Sequence, residues 1–123
     1  MAGSSMVFTE ITYGTIKKIK AVWLSDDFTG AVSGTTTNYY DGRFIGACTV
    51  PDGGGTAPDD NYGITVKDAD GVDIALGALL LRDTANTEYV SEASMAGCAM
   101  SKLTVGVTAA GNANGGVLYL YIR

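Results

Sequence analysis

Residues 59–74 read DDNYGITVKDADGVDI, and this stretch carries the clearest strand and turn signals of the chain. From position 62 to position 66, large apolar residues alternate with smaller or polar ones, which is the period of a half-buried β-strand. Asp70 and Gly71 follow as a turn pair, because glycine accepts the positive φ angle that a tight hairpin requires. The next alternating run is predicted to be the partner strand, and it begins with Val72, Ile74 and Leu76.

The aspartates of this stretch also raise the question of a calcium loop. An EF-hand loop needs acidic residues at positions one, three and five, glycine at six and glutamate at twelve. Here Asp68, Asp70 and Asp73 surround a glycine at the fourth position, so the spacing favours a hairpin over a metal site. We therefore expect no metal ligand in this stretch, and a calcium site is the alternative.

The chain offers few of the residues that catalysis usually needs. It contains no histidine, which removes the usual general base, metal ligand and triad partner. A paired-carboxylate hydrolase needs two carboxyl groups that face one cleft with different pKa values, whereas turn aspartates are solvated. The sequence therefore predicts a non-enzymatic protein with no catalytic residue, no metal site and no cofactor.

Composition and charge limit the fold and the partners. A chain of 123 residues suits one domain, and its 17 glycines and two prolines, with frequent Thr, Val, Tyr and Ile, favour short strands joined by turns. The formal net charge of −5 opposes nucleic-acid binding, which needs clustered Lys and Arg. The longest apolar run, residues 74–81, is shorter than the roughly 18 residues of a membrane span. No nucleic-acid or membrane partner is expected.

Alternation predicts further strands before this stretch. Residues 7–11 alternate as an amphipathic strand, and in the next run Ile19, Ala21 and Trp23 share one face. The other face of that run mixes lysines with Val22 and a leucine, which indicates partial cover by another element or subunit.

A polar connection rich in Gly and Thr is predicted for residues 26–42, with Asp41 and Gly42 forming the turn before the next strand. That strand covers residues 43–51 and ends at Pro51, because proline cannot donate to the ladder. One of its faces is predicted to carry Phe44, Gly46, Cys48 and Val50.

The second half of the chain contains one clear strand pair and one stretch that is hard to interpret. Residues 103–108 and 117–123 alternate on either side of a loop rich in turn residues, which predicts an antiparallel hairpin. Both faces of the last run are apolar or amphipathic, so this strand is expected to be central in a sandwich or to lie in a subunit interface. Leucines 79–81 cannot all share one face, so at least one should meet a second buried surface, within the chain or from a partner. Residues 86–94 carry a weak helical spacing.

The two cysteines, Cys48 and Cys98, lie among small apolar neighbours and show no CxxC spacing. Because histidine is also lacking, a zinc site is not expected. Buried free thiols are the first expectation, and a disulfide is the alternative, since sequence cannot show whether the two meet.

Roughly six to eight short strands with regular turn signals predict an all-β fold, a single-domain antiparallel β-sandwich or a jelly-roll-like arrangement with little helix. Residues 6–123 are expected to form this domain. Residues 1–5 are expected to be a flexible lead or an expression remnant.

Four blocks follow one another from about residue 15 to the last residue: KIKAVWLSDDFTGAVSGTTT, TVPDGGGTAPDDNYGITVKDADGVDI, LRDTANTEYV and SKLTVGVTAAGNANGGVLYLYIR. In this order they resemble a family of small virion structural proteins of tailed bacteriophages. The resemblance implies a virion location, and such proteins commonly serve as capsid decoration or cement proteins. They bind the outside of the shell between major capsid proteins, as dimers or trimers. A component of the head–tail joint or of the tail is the alternative.

Such a role predicts the surfaces that a partner would contact. The segment from Val7 to Tyr13 is expected to add a strand to a neighbour's sheet. The loop around Tyr39 and Tyr40 and the loop from Pro51 to Tyr62 are further candidates. The candidate contact residues are Val7, Phe8, Ile11, Tyr13, Tyr39, Tyr40 and Tyr62. The alternatives are an ordinary edge strand for the segment and core or rim packing for the tyrosines. A carbohydrate-binding sandwich would need an aromatic platform, but Trp23 is expected to pack in the core.

Overall fold

A computed structural model describes residues 4–91 and 95–123, apart from the side chain of Tyr13. The described residues form nine strands and one short 3-10 turn, Gly54–Thr56. The strands are β1 (Ser5–Tyr13), β2 (Ile16–Leu24), β3 (Val32–Thr35), β4 (Tyr40–Pro51), β5 (Gly63–Lys67), β6 (Glu88–Ser91), β7 (Gly97–Ser101), β8 (Thr104–Thr108) and β9 (Gly115–Ile122). They build two antiparallel sheets, which confirms the predicted all-β, sandwich-like class. Within residues 4–91 and 95–123, no helix has the length and apolar character needed to cross a membrane.

The larger sheet has the order β1-β2-β9-β4-β6, and β7 pairs with the first part of β4. Strand β9 therefore lies between β2 and β4, which confirms the prediction that the last strand is central. Its inner face carries Leu118 and Leu120, which lie opposite Ala21 of β2 and Ala47 of β4 respectively. Strand β1 forms one edge of this sheet.

The smaller sheet has the order β3-β8-β5. After β5 the chain turns and runs back along it without forming a regular strand. This returning segment covers the outer edge of β5 through backbone hydrogen bonds of 2.8–2.9 Å that join Ile74 to Val66, Leu79 to Ile64, and Arg82 to Tyr62.

The core lies between the two sheets and follows the alternation of the sequence. Trp23 of β2 is only 2% exposed, and its ring centroid lies 5.5 Å from that of Tyr62 in the segment leading into β5. The predicted inner faces of β2, β5 and β8 are all confirmed as buried. Their core residues are Ile19, Ala21, Trp23, Ile64, Val66, Leu103, Val105 and Val107.

The predicted turn at Asp41 and Gly42 is wrong. Both residues lie inside β4, whose register with β7 shifts between Tyr40 and Gly42. Gly42 has a φ of 126°, so this glycine serves an irregularity within a strand. An Asp-Gly pair indicates a backbone position with positive φ, and such a position occurs in a β-bulge as well as in a turn.

A second irregularity changes which side chains of β4 point inward. The register with β9 shifts between Phe44 and Gly46, so Ile45 is the extra residue. Phe44 is buried before it, whereas Ala47 and Thr49 are buried after it. The predicted common face for Phe44, Gly46, Cys48 and Val50 is therefore wrong, because one inserted residue exchanges the two faces of a strand.

The predicted hairpin between the last two alternating runs is also wrong. Strand β8 belongs to the smaller sheet and β9 to the larger one, so their connection crosses from one sheet to the other. The polar connection before β4 is not wholly a loop either, since Val32–Thr35 forms β3 against β8. Alternation identifies strands but does not specify their neighbours.

Three further predictions need correction or qualification. The turn at Gly71 forms, with Asp68 and Val72 hydrogen-bonded at 3.0 Å, but regular pairing of a partner strand ends at one bridge to Asp73. Within residues 86–94, whose weak helical spacing left a short helix open, Glu88–Ser91 is strand β6 and residues 92–94 lie outside the described part of the chain. Strand β1 begins at Ser5, one residue before the expected start of the domain.

Candidate functional site

Three of the predicted contact residues lie at the surface. Val7 and Ile11 are 62% and 51% exposed on the outer face of β1, and Tyr39 is exposed just before β4. The ammonium group of Lys102 lies 5.3 Å from the centre of the Tyr39 ring. Phe8, on the inner face of β1, is half-buried and packs against the core.

Of the other predicted contact residues, two tyrosines are buried and the side chain of a third is not described. Tyr40 and Tyr62 are 4% and 1% exposed, so the alternative of core packing holds for both. The backbone of Tyr13 ends β1, and its side chain lies outside the description.

Strand β1 is an open edge. It pairs with β2, and within the described chain no other strand forms a ladder with it. About half of its backbone N–H and C=O groups therefore point away from β2. Its nine residues, SMVFTEITY, contain no proline and no Lys or Arg. Sheets usually prevent strand addition by placing prolines, lysines or bulges in their edge strands. Strand β1 contains no proline and no lysine.

The single charge of β1, Glu10, is occupied inside the molecule. Its Oε1 accepts hydrogen bonds from the Tyr40 hydroxyl at 2.7 Å and the Asn38 N–H at 3.1 Å, and its Oε2 accepts one from the Thr37 N–H at 3.0 Å. Partial burial acts to raise the pKa of Glu10, but the hydrogen bonds, led by that from Tyr40, outweigh it and lower the pKa. Glu10 therefore fixes β1 to the chain between β3 and β4 and does not place a charge on the free edge.

The outer face of the larger sheet is apolar with two positive charges. One row across the sheet consists of valines from four adjacent strands: Val7, Val22, Val117 and Val50. In the neighbouring rows, the ammonium groups of Lys18 and Lys20 lie 5.2 Å and 6.0 Å from the centre of the Tyr119 ring. The partial cover that the sequence indicated for this face of β2 stays a prediction.

A second apolar surface is formed by residues 74–81, which we call the leucine loop. Ile74, Ala75 and Leu79 point inward and are buried, whereas the remaining leucines are exposed. The exposed fractions are 61% for Leu76, 43% for Leu80 and 70% for Leu81. The three consecutive leucines thus divide between core and surface, and a second buried surface supplied by a partner stays a prediction.

The backbone of the leucine loop is strained at two of its exposed leucines. Leu76 has a φ of 54° and Leu81 a φ of 57°, in the left-handed region where a side chain costs about 1–2 kcal/mol. Large residues held there are uncommon, and such outliers often mark a surface with a binding role. Met100 has a similar φ of 48° and is 74% exposed, but the leucine loop combines a strained backbone with three exposed leucines.

Two aspartates of residues 59–74, Asp68 and Asp73, accept several hydrogen bonds from backbone N–H groups near the turn. Asp68 Oδ1 accepts hydrogen bonds from the N–H groups of Asp70 and Val72 at 2.9 Å and 3.0 Å. Asp73 accepts three such bonds at 3.0–3.1 Å, from Val66, Ala75 and Gly77. In the part of the chain that the structure covers, no group of three or more Asp, Glu or Cys side chains is arranged to hold a metal ion.

An open groove of about 390 Å³ lies beside β3 and β8 and contains one carboxylate, Asp26. Its Oδ1 accepts hydrogen bonds from the N–H groups of Thr29 at 2.5 Å and Phe28 at 3.0 Å. These bonds, with the Thr29 contribution largest, lower the pKa of Asp26. A carboxylate that is ionised and already hydrogen-bonded by its own turn is suited to a structural role.

Both cysteines are free thiols and half-buried, so the alternative of a disulfide does not hold. Burial raises the pKa of Cys48, which lies on the outer face beside the register position of Tyr119. Burial also raises the pKa of Cys98, with a further contribution from Asp41 and Asp68. Because the thiolate is the reactive form, both groups are weak nucleophiles at neutral pH.

Sequence reasoning missed part of the exposed apolar surface. Leu76 was assigned to a regular strand, in which it would alternate with its neighbours. Phe28, 83% exposed, lies in a connection predicted to be polar and has no signal in the surrounding residues. The triple leucine was the one sequence signal for this exposed surface, because three consecutive side chains cannot all lie on one face of a sheet.

Searches of family models, of curated proteins and of solved structures each found no match to this chain.

Proposed function

We propose that this chain is a non-enzymatic structural protein of a bacteriophage virion. In this proposal it is a capsid decoration or cement protein that binds the outer surface of the head and stabilises contacts between major capsid proteins. The order of its sequence blocks supports the virion setting. The observation that carries the proposal is the leucine loop, an exposed apolar surface held in a strained backbone and anchored on a rigid sandwich.

The leucine loop is the surface that we assign to the shell. Full burial of a leucine side chain contributes about 1.5–3 kcal/mol, and Leu76 and Leu81 are the most exposed leucines of the loop. Association costs translational, rotational and side-chain freedom, so a contact of this size is weak by itself. A cement protein occupies many equivalent sites on one particle, and the stabilisation of the shell is the sum over them.

Binding to shells that lack the protein tests this assignment. Purified chain is mixed with such shells and co-sedimentation is measured for the parent, for Leu76→Asp and for Leu81→Asp. The matched control is Phe28→Asp, which places the same charge at an exposed apolar residue outside the loop. We expect the loop variants to lose binding and the control to retain it.

If the parent chain fails to bind expanded shells, the cement role is rejected. If the loop and control variants bind equally well, the leucine loop is not the contact surface. The tail or head–tail joint alternative has its own readout, since the protein would then co-purify with tails when virions are separated into heads and tails.

A further inference from the structure

We infer that β1 is the self-association edge of this protein, where a second copy adds its own β1 antiparallel to extend the larger sheet across a two-fold axis. The inference depends on the structure of β1 and not on the virion role. A dimer that does not bind shells would reject only the proposed function, whereas a monomer that binds shells would reject only this inference.

The free edge of β1 needs an extended backbone as its partner. Its outward N–H and C=O groups are satisfied by water in the isolated chain and by ladder hydrogen bonds when a strand is added. The edge is nine residues long and continuous, without a register shift against β2. The Glu10 carboxylate, the only charge of the strand, lies on the inner face of β1 and accepts a hydrogen bond from Tyr40.

The sequence of β1 favours a copy of itself over an unrelated peptide. Its outward side chains are Val7, Thr9 and Ile11, a threonine between two β-branched aliphatic residues. This pattern is the same whether the strand is followed from its N-terminus or its C-terminus. When all nine residues pair antiparallel, Thr9 lies opposite Thr9 of the second copy and Val7 lies opposite Ile11. Cross-strand pairs of β-branched residues are among those that stabilise sheets. The arrangement makes the Val7–Ile11 pair twice and the Thr9–Thr9 pair once, on the axis, as two-fold symmetry requires.

The charges of the outer face permit this arrangement. On the outer face the nearest like charges would be Lys20 and its symmetry mate, because Lys20 lies opposite Thr9 in the β1–β2 register. Three strand spacings separate them, about 14 Å, which exceeds the Debye length of about 8 Å at physiological ionic strength. On the inner face Glu10 would lie diagonal to its own mate at about 7–8 Å, with each carboxylate held by its own Tyr40. The valine row of the outer face continues across the axis through Val7 and Ile11. Edge pairing alone buries little area, so we expect a dissociation constant on the order of micromolar.

Sedimentation velocity at increasing protein concentration provides the first test. The parent chain should shift from monomer to dimer, and Thr9→Lys should weaken dimerisation by about tenfold or more, because it places two lysines directly opposite each other. The control is Val22→Lys, which adds the same charge to the same face one strand away from the edge and should retain the parent behaviour. Mixing Thr9→Lys with Thr9→Glu should restore a dimer, since the opposite positions then carry opposite charges.

A disulfide experiment tests the register. In the proposed pairing the two copies of position 9 are about 4.5–5.5 Å apart between Cα atoms, within the roughly 4.4–6.8 Å that a disulfide spans. Thr9→Cys should therefore oxidise to a covalent dimer. Thr12→Cys should not, because its two copies would lie about 20 Å apart along the strands.

A parent chain that stays monomeric at all concentrations would overturn the inference. So would equal effects of Thr9→Lys and Val22→Lys, or crosslinking at position 12 in preference to position 9. Circular dichroism of each variant verifies that a lost dimer does not reflect a lost fold.

Discussion

The hydroxyl of Tyr40 donates a 2.7 Å hydrogen bond to Oε1 of Glu10, a residue thirty positions earlier in the chain. Through this bond the first residue of β4 holds the edge strand β1. Because burial and the interaction with Glu10 both raise the pKa of Tyr40, its hydroxyl remains a donor throughout the neutral and moderately alkaline range. The bond therefore depends on the protonation of Glu10 alone under ordinary conditions.

Acid should weaken this attachment. The pKa of Glu10 in the folded chain lies below its ordinary value of 4.5, so its contribution to stability is complete above that value and is lost as pH falls through the folded pKa. Glu10→Gln should reduce the free energy of unfolding at pH 7 by about 1–2 kcal/mol. The difference between parent and variant should shrink below the ordinary pKa, as measured by urea unfolding at several pH values. A difference independent of pH would contradict this account.

Removal of the other partner gives an independent check. Tyr40→Phe leaves the Glu10 carboxylate without one of its donors and should cost about 1–2 kcal/mol at neutral pH. In the Glu10→Gln background the same change should cost less, since the two residues act as one pair. Additive effects of the two substitutions would show that the bond contributes nothing by itself.

Gly42 should tolerate no side chain. A Cβ at this position would collide with the carbonyl oxygen of Arg123, and the φ of 126° is itself unfavourable for other residues. We expect Gly42→Ala to lower the free energy of unfolding by more than about 3 kcal/mol. Gly53→Ala is the matched control, because its Cβ meets nothing within 4 Å, and it should change stability by less than about 0.5 kcal/mol. Urea unfolding of the two variants measures the difference.

The leucine loop should show binding and stability as separable properties. Leu76→Gly removes an exposed side chain from a left-handed backbone and should leave stability unchanged or raise it by up to about 1 kcal/mol. The same change should weaken shell binding. Leu79→Ala in the same loop removes a fully buried side chain and should cost about 2–5 kcal/mol of stability. Thermal unfolding and co-sedimentation of both variants give the comparison, and a Leu76→Gly variant of low stability would contradict it.

The two thiols should react slowly in the folded chain. Burial raises the pKa of both Cys48 and Cys98, so the thiolate fraction at pH 7–8 is small, and it rises only at more alkaline pH. Reaction with a chromogenic disulfide reagent should give two thiols per chain in denaturant and a much lower rate without it. Fewer than two thiols in non-reducing denaturant would indicate a disulfide.

Sequence alone identified most strands, because the inner residues of β2, β5 and β8 alternate without interruption. It failed for β4, since the extra residue at Ile45 exchanges the two faces and leaves no mark in composition. It also failed for the pairing of β8 and β9, because a loop of turn residues can either reverse the chain within one sheet or lead to the other. These errors concern neighbours and register, which depend on contacts distant in sequence.

The candidate surfaces were predictable to a similar degree. The alternation of residues 7–11 predicted an amphipathic strand with Val7 and Ile11 on one face. The triple leucine predicted that at least one leucine would lie outside the main core. The sequence left the burial of Tyr40 open between core packing and a partner contact, because its environment depends on Glu10 in a strand thirty residues away. The exposure of Leu76 depends on a backbone conformation for which leucine has no preference.

The central place of β9 bears on how the protein is made. As the ribosome extends the chain, β2 and β4 emerge long before the strand that lies between them, since β9 follows the other eight described strands in chain order. Until residues 115–122 leave the exit tunnel, β2 and β4 each present an unpaired flank to other nascent chains. The larger sheet is therefore expected to close only after β9 has been made, and truncation of the chain before β9 should yield aggregates in place of a smaller folded domain.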